Sequence, residues 1–422
     1  MHLRRWHAAG LLTAGLVLIA SPALGARVSP RSTDPVGGPE LGSSGLIVHP
    51  LPGAPAIPSI VNSPGWIVAD LDTGKVLAAR DPHGRYRPAS TLKELTALTL
   101  IPKIASDSRI TFTADELAHA TYGTHGVSSL AGLMPGSTYK ASDLFYAMLL
   151  PSGNDAAEAL AASYPGGRAA ALAAMQAEAD HLQAFDTTVK TPDGLDADGQ
   201  LTSPYDLALI ARAGLQLPDF ATYVKTLRWY LPCKKSSHCT NGKFEIDNHN
   251  HVVTSMRGAI GVKNGGTSLA RLVVVGAAER NGHRLVAVVM HSEYAPFTQT
   301  IDLLEWGFAA EGKVTPVGDL VDPAADMPGS SGQQVLAAGP GTQAPVTAPR
   351  ATHHGGGLPW GWFGLLALLA AGGLTLLRFR APARPAPVQS RADLGVLPVL
   401  PSSEPPSHVA LRPSRPDSSS LG

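Results

Sequence analysis

PASTLKELTAL, residues 88–98, places a lysine one helical turn after a serine in an otherwise mostly apolar segment. Residues three apart on a helix lie on one face, so the amine of Lys93 can reach the hydroxyl of Ser90. Burial among the neighbouring leucines would lower the pKa of that amine, and a neutral lysine can take the proton of a serine hydroxyl. The pattern predicts a serine nucleophile activated by a buried lysine. The alternative is a capped surface helix with a solvated lysine.

LLPSGNDAAEALA, residues 149–161, supplies a second candidate motif between two helical segments. Ser152 and Asn154 interrupt the helical pattern, and Asn154 can cap the helix that follows. We expect Ser152 to relay a proton toward the leaving group. We expect the amide of Asn154 to hold a substrate peptide bond and to hydrogen-bond Lys93. A simple corner between two helices is the alternative interpretation.

GAIGVKNGGTSLARLVVV, residues 258–275, supplies a third candidate motif on a predicted edge strand. The glycines after Lys263 would let another backbone approach closely, so a substrate can pair with this edge as an added strand. Lys263 would give a fixed positive charge for a substrate carboxylate, and Thr267 would add a hydroxyl. The alternative is a surface lysine beside a glycine turn.

The surrounding residues predict strands at both ends of a domain and helices in its middle. Strands are predicted at residues 66–71 and 76–79, and a valine-rich hairpin at 270–292 turns at Asn281-Gly282. Helices are predicted at residues 90–103, 141–150, 154–163, 168–183, 201–215 and 301–310. This order predicts an antiparallel sheet formed by the two ends of the domain, with helices packed on its faces.

The three motifs occur in the order and context that penicillin-binding proteins and serine β-lactamases share. A further stretch, DGLDADGQLTSPYDLALIAR at residues 193–212, adds to these motifs. Together they make the sequence resemble the D-alanyl-D-alanine carboxypeptidase family of serine peptidases over about residues 61–312. The resemblance implies a β-lactamase/transpeptidase-like α/β (α+β) fold, in which helices flank an antiparallel sheet beside an all-helical subregion. It also implies removal of the terminal D-alanine from peptidoglycan stem pentapeptides through an acyl-enzyme, with β-lactams as covalent inhibitors.

The resemblance also assigns roles to single residues. Ser90 is expected to be the nucleophile, Lys93 its base, and Ser152 part of the proton network. Backbone N–H groups of Ser90 and Gly266 are expected to form the oxyanion hole. The expected substrate-binding residues are Asn154, Lys263, Asn264, Gly266 and Thr267. This mechanism needs neither a metal nor an organic cofactor.

Asn264 departs from the family, which usually has threonine or serine after this lysine. An asparagine amide can donate a hydrogen bond, but it is longer and carries an acceptor beside the donor. A misplaced charge-assisted hydrogen bond is worth roughly 1.5–3 kcal/mol, so activity is expected to be reduced or retuned. Two alternatives stay open: a penicillin- or peptidoglycan-binding homologue without turnover, and a transpeptidase, endopeptidase or β-lactamase.

The composition argues against a nucleic-acid-binding protein. The 422 residues include 33 lysines and arginines and 33 aspartates and glutamates, so the net charge is zero, whereas nucleic-acid binders usually carry a basic face. No nucleic-acid partner is therefore expected.

The chain outside the motifs predicts an exported, membrane-anchored protein. Residues 1–25 are typical of a signal peptide, with a retained anchor as the alternative, and residues 358–377 have the length and apolarity of a transmembrane helix. Arginines after that helix predict a cytoplasmic C-terminus and an extracellular domain. The remaining predicted segments are a linker at 26–60, the catalytic domain at 61–320, a disordered stalk at 321–357 and a disordered tail at 378–422.

Two cysteines lie close together in LPCKKSSHCT, residues 231–240. In an exported chain Cys233 and Cys239 are expected to form a disulfide. A zinc site that also uses His238 is the alternative, but it lacks the usual paired spacing.

Overall fold

A computed structural model describes residues 34–121, 130–233 and 239–325. The contacts divide the chain after Gln333, and all of these residues belong to the first unit. The described strands are β1 Leu46–Ile47, β2 His49–Pro50, β3 Gly65–Asp70, β4 Lys75–Arg80, β5 Arg109–Thr111, β6 Thr138–Lys140, β7 Arg228–Pro232, β8 Lys243–Asp247, β9 Ala259–Thr267, β10 Arg271–Arg280, β11 His283–Ser292, β12 Val314–Thr315 and β13 Gly318–Asp319.

Both ends of the domain contribute to one antiparallel sheet, as the sequence predicts. Its strands follow the order β1-β4-β3-β11-β10-β9, and β13 also pairs with β4. The predicted hairpin is β10–β11, whose register joins Arg280 to His283 across two residues with positive φ, Asn281 and Gly282. Strand β11 then pairs with β3, which brings the early and late parts of the chain together. The other edge of β10 pairs with β9, which is the last strand in this order.

Helices cover the sheet and form a helical region beside it. The described α-helices are α1 Lys93–Leu100, α2 Ala114–Thr121, α3 Ala141–Leu149, α4 Asn154–Ser163, α5 Gly167–His181, α6 Pro204–Gly214, α7 Pro218–Lys225, α8 His251–Ser255 and α9 Pro296–Ala310; two short 3₁₀ helices span Pro39–Gly42 and Ala89–Leu92. Ser203 caps α6 by accepting the N–H of Asp206 at 3.1 Å, with proline at the first helical position. The predicted fold class is thus confirmed.

Two expectations about helix starts need correction. The helix predicted from residue 90 begins as the 3₁₀ turn Ala89–Leu92, and its α-helical part starts at Lys93. The last helix begins at Pro296 rather than residue 301, because a proline is well placed in a first turn. Helices α2 and α7, of eight residues each, and the hairpin β7–β8, with strands of five residues, were not predicted, since a periodic pattern is hard to recognise over so few residues.

Residues 34–60, predicted as part of a linker, pack onto the domain instead. Strand β1 pairs with β4, β2 pairs with β12, and the side chain of Leu41 is completely buried. The carbonyl of Pro55 accepts the indole N–H of Trp306 at 2.9 Å. A proline-rich composition therefore did not exclude pairing, because short edge strands tolerate proline.

Several predicted segments lie outside the described residues: the signal peptide 1–25, the transmembrane helix 358–377, the tail 378–422 and most of the stalk 321–357. Within the described ranges, the helices are all too short or too polar to cross a bilayer.

Candidate active site

Ser90 lies in a 3₁₀ turn whose backbone is held by two glycines from other segments. The preceding residue, Ala89, has a φ of 48°, an uncommon value for a residue with a side chain. A Cβ on Gly194 would lie 1.8 Å from the carbonyl oxygen of Ala89. A Cβ on Gly265 of β9 would lie 2.5 Å from the backbone nitrogen of Ser90. The helical region and the sheet edge therefore approach the serine turn as closely as backbones can.

Lys93 follows at the start of α1, and its side chain is completely buried. Its Nζ atom lies 2.9 Å from Oγ of Ser90, so the predicted contact is present. The same atom donates to Oδ1 of Asn154 at 2.7 Å and to the carbonyl oxygen of Asp193 at 2.6 Å. Both of these partners only accept hydrogen bonds. A neutral amine has two N–H bonds, so when both point to these carbonyls its lone pair faces Ser90.

Burial favours the neutral form of the Lys93 amine. It lowers the pKa of Lys93 to about 8, while Asp193, Asp155 and Glu158 act in the opposite direction. A substantial fraction of Lys93 is therefore uncharged near neutral pH and able to accept the proton of Ser90. A base with a pKa close to the working pH is well suited to proton transfer.

The corner between α3 and α4 brings Ser152 and Asn154 to the same place. Ser152 is buried with a φ of 69°, and among the described residues its Oγ has no hydrogen-bond partner. Asp155 holds this corner, because its carboxylate accepts the backbone N–H groups of Ala131 and Leu133 at 2.9 and 3.0 Å. A buried hydroxyl held in a strained turn is typical of a functional position.

Strand β9 carries Lys263 beneath the cavity rather than in its wall. Lys263 is completely buried, and its Nζ donates to the carbonyl of Asn264 at 2.9 Å. Burial and the nearby Lys93 lower its pKa, whereas Glu94 raises it. Oδ1 of Asn264 is buried without a hydrogen-bond partner among the described residues. Thr267 accepts the N–H of Ala270 at 2.9 Å, which leaves its hydroxyl proton available to a ligand.

A cavity of about 400 Å³ opens beside Ser90. Its lining consists of Ser90, Ser152, His249, Asn264, Gly265, Gly266, Thr267, Leu272, Val273, Val274, Pro296 and Phe297. The structure thus brings the predicted residues of three separate motifs around one opening. Lys93, Asn154 and Lys263 lie behind this surface, fully or almost fully buried.

Sequence reasoning missed three contributors to this site. The backbone carbonyl of Asp193 accepts a hydrogen bond from Lys93, and a backbone contact of this kind cannot be predicted from the residue type. His249 lines the cavity from a loop that carries no recognisable motif. Glu94 is completely buried directly after Lys93, and its carboxylate oxygens have no hydrogen-bond partner among the described residues. Burial raises the pKa of Glu94 well above its usual value, opposed by Lys263. A carboxyl group one residue after Lys93 was the available signal.

His83, Asp186 and Asp206 form a group suited to hold a metal ion in the described ranges, with ligand atoms within 4.8 Å of one another. Both ring nitrogens of His83 already have partners, Asp186 at 2.7 Å and the carbonyl of Val36 at 3.0 Å. Asp206 accepts the hydroxyl of Thr187 at 2.7 Å. We therefore interpret the group as a polar network that fastens the N-terminal segment.

Cys233 directly follows β7, and Cys239 lies six positions later along the chain. Their sulfur atoms are 2.00 Å apart, which is disulfide distance. His238, the further ligand of the alternative zinc site, lies outside the described residues.

Comparison with known proteins gives a family match that includes all three motifs of this site. The family model described as D-alanyl-D-alanine carboxypeptidase, peptidase S11, matches residues 53–293. The D-alanyl-D-alanine carboxypeptidase DacB2 of Mycobacterium tuberculosis is 38% identical over 262 residues, covering 60% of this chain and 85% of that protein. DacD of Escherichia coli is 31% identical over 275 residues, covering 63% of this chain and 68% of that protein.

Solved structures agree in fold. A D-alanyl-D-alanine carboxypeptidase from Mycobacterium tuberculosis has a TM-score of 0.58 at 35% identity, covering 65% of this chain and all of that one. The Streptomyces K15 DD-transpeptidase has a TM-score of 0.55 at 27% identity, covering 61% of this chain and 99% of that one. The motifs, their geometry and these matches together establish that the chain belongs to the D-alanyl-D-alanine carboxypeptidase family of serine peptidases.

Proposed function

We propose that this protein removes the terminal D-alanine from peptidoglycan stem pentapeptides through an acyl-enzyme on Ser90. The observation that carries the proposal is the buried amine of Lys93, which lies 2.9 Å from Oγ of Ser90 with two carbonyl acceptors on its other side. The names of the relatives support the same reaction and substrate.

The reaction has two halves that use the same groups. Lys93 takes the proton of Ser90, whose oxygen attacks the carbonyl carbon of the penultimate D-alanine. The oxyanion is held by backbone N–H groups of Ser90 and Gly266, and Ser152 relays the proton to the nitrogen of the departing D-alanine. Water then attacks the ester carbon and gives a proton to Lys93. The bond between that carbon and Oγ of Ser90 breaks, and Lys93 returns the proton to Oγ as the shortened peptide leaves.

The test is mass spectrometry of a stem pentapeptide before and after incubation with the full-length chain. Loss of one D-alanine residue is the expected result. Reaction with a labelled penicillin without release of D-alanine would instead favour a binding homologue without turnover. Transfer to an added amino acceptor would favour the transpeptidase, an activity named for the Streptomyces K15 neighbour.

Asn264 sets the rate in this proposal, because its Oδ1 acceptor is left unpaired at the cavity wall. We expect Asn264→Thr to raise kcat/KM for the pentapeptide about tenfold, since a hydroxyl donates to a carboxylate without carrying an amide acceptor beside it. Steady-state release of D-alanine measures the change. Asn264→Ala is the matched control, because it removes the acceptor without adding a donor. An equal gain in both variants, or a loss in Asn264→Thr, would contradict the assignment.

We further propose that the chain is exported and that residues 358–377 anchor it, with the domain outside the cell and Cys233 paired with Cys239. The support is the apolar run followed by arginines and the sulfur distance of 2.00 Å. The full chain should stay in the membrane fraction after alkaline washing, and a chain ending at residue 357 should be released. Retention of both chains would show that residues 358–377 are not the anchor.

A further inference from the structure

Among the described residues that line the cavity beside Ser90, His249 is the one whose side chain can take up a positive charge. The remaining lining residues are serine, threonine, asparagine, glycine, proline and apolar residues. Lys263, expected to receive the substrate carboxylate, is completely buried and donates to the carbonyl of Asn264. A negatively charged ligand in this cavity therefore meets the imidazole of His249 in the wall itself.

His249 is presented by a backbone held on both sides. Its N–H donates to the carbonyl of Leu150 at 3.0 Å, directly before the corner that carries Ser152. Asn248 donates to the carbonyls of Val224 and Thr226 at 3.0 and 2.9 Å. Asn250 is buried and donates to the carbonyl of Val275 at 3.2 Å. Two buried asparagines thus fix the residue between them, which limits the entropy that ligand binding costs.

We propose that protonated His249 binds the terminal carboxylate of the peptide substrate, beside the amide of Asn264, and so makes substrate binding depend on pH. The proposal rests on the proposed function, because it names the group that recognises the free carboxyl end. A charge-assisted hydrogen bond of this kind is stronger than a neutral one and requires the imidazolium form.

The charged groups around His249 fix the direction of the pH dependence. Burial is the first cause that lowers its pKa, and Lys263 on β9 and His251 on α8 act in the same direction. Asp247, at the end of β8, raises it. His249 is therefore protonated only at a lower pH than an ordinary histidine. A bound carboxylate favours the charged form, so binding takes up a proton and tightens as the pH falls.

Binding and chemistry then respond to pH in opposite directions. The base Lys93 must be neutral, and its pKa is about 8, so acylation gains from rising pH. KM for a substrate with a free carboxylate should rise over the same range in which kcat rises. A purely structural role for His249 would not separate the two constants in this way.

Equilibrium binding to the full-length Ser90→Ala variant tests the proposal without turnover. The probes are an amine-blocked L-Lys-D-Ala-D-Ala peptide and its C-terminal amide, measured by calorimetry from about pH 5.5 to pH 8, the range in which histidine titrates. We expect the free acid to bind about tenfold more tightly than the amide at the acidic end and the difference to shrink as the pH rises. Adding His249→Gln should abolish the pH dependence, and adding His249→Lys should keep tight binding throughout.

His283→Gln is the matched control, because His283 is exposed and pairs with Glu311 at 3.0 Å outside the cavity. It should leave the binding profile unchanged. A pH-dependent preference for the free acid that survives in His249→Gln would overturn the proposal, and so would failure of both peptides to bind. A wild-type protein that releases no D-alanine would refute the proposed function instead, while binding to Ser90→Ala would still decide the role of His249.

Discussion

Replacing Ser90 with alanine will abolish covalent labelling by penicillin and lower release of D-alanine by at least about 10⁴-fold. The reason is that alanine has no oxygen to carry the acyl group, and the hydroxyl it removes is the one that lies 2.9 Å from Nζ of Lys93. Labelling is measured on a gel with a fluorescent penicillin, and release of D-alanine by mass spectrometry of the pentapeptide. The fold should be kept, because alanine removes a single atom from a half-buried side chain.

Ser255→Ala is the control for this experiment, because Ser255 is exposed on α8 and lies outside the cavity lining. It should label and turn over like the wild type. Ser152 is a second hydroxyl at the cavity, and its Oγ has no hydrogen-bond partner among the described residues. Peptide mapping of the wild-type adduct therefore decides the assignment, since an adduct on Ser152 would refute Ser90 as the nucleophile.

Replacing Lys93 with methionine should lower the acylation rate by roughly 10²–10⁴-fold, the usual contribution of a general base. Methionine keeps the length and apolar character of the side chain but has no amine to accept the proton. In the wild type, acylation should rise about tenfold per pH unit below about pH 8 and level off above it, because the pKa of Lys93 is about 8 and the neutral form is the active one. Stopped-flow acylation by penicillin across pH measures both effects.

Lys103→Met is the matched control, because Lys103 is exposed just after α1 and should change neither the rate nor its pH profile. The residual rate of Lys93→Met should be independent of pH around 8. A Lys93→Met profile that still rises through pH 8 would assign the titration to another group. Thermal unfolding of each variant separates lost chemistry from a lost fold, since the carbonyls of Asn154 and Asp193 lose their donor in Lys93→Met.

Two of the local arrangements at the candidate site could be predicted because short-range geometry sets them. Ser90 and Lys93 are neighbours on any helical turn, and the corner at Ser152 follows from a proline and a glycine between two helical segments. The sheet was predictable from its valine-rich hairpin, whose two-residue turn at Asn281-Gly282 fixes the register.

Other parts of the site depend on tertiary contacts that residue types do not record. Lys263 is expected to supply a positive charge for a substrate carboxylate, but its complete burial and its hydrogen bond to the carbonyl of Asn264 were not predicted. The carbonyl of Asp193 reaches Lys93 from 100 positions along the chain, and His249 reaches the cavity only because two asparagines hold its loop. Such long-range positions follow from packing, and no local pattern specifies them.

The N-terminal pairing of β1 with β4 has a consequence for how the protein is shortened for laboratory work. A truncated version beginning at residue 61 would remove β1 and leave the backbone of Ala79 and Arg80 on β4 without its partner strand, while β13 would still pair with the other end of β4. Unpaired strand edges of this kind form hydrogen bonds with strands of other chains and so promote aggregation. Expression boundaries drawn from the family match alone, which starts at residue 53, would remove the same strand.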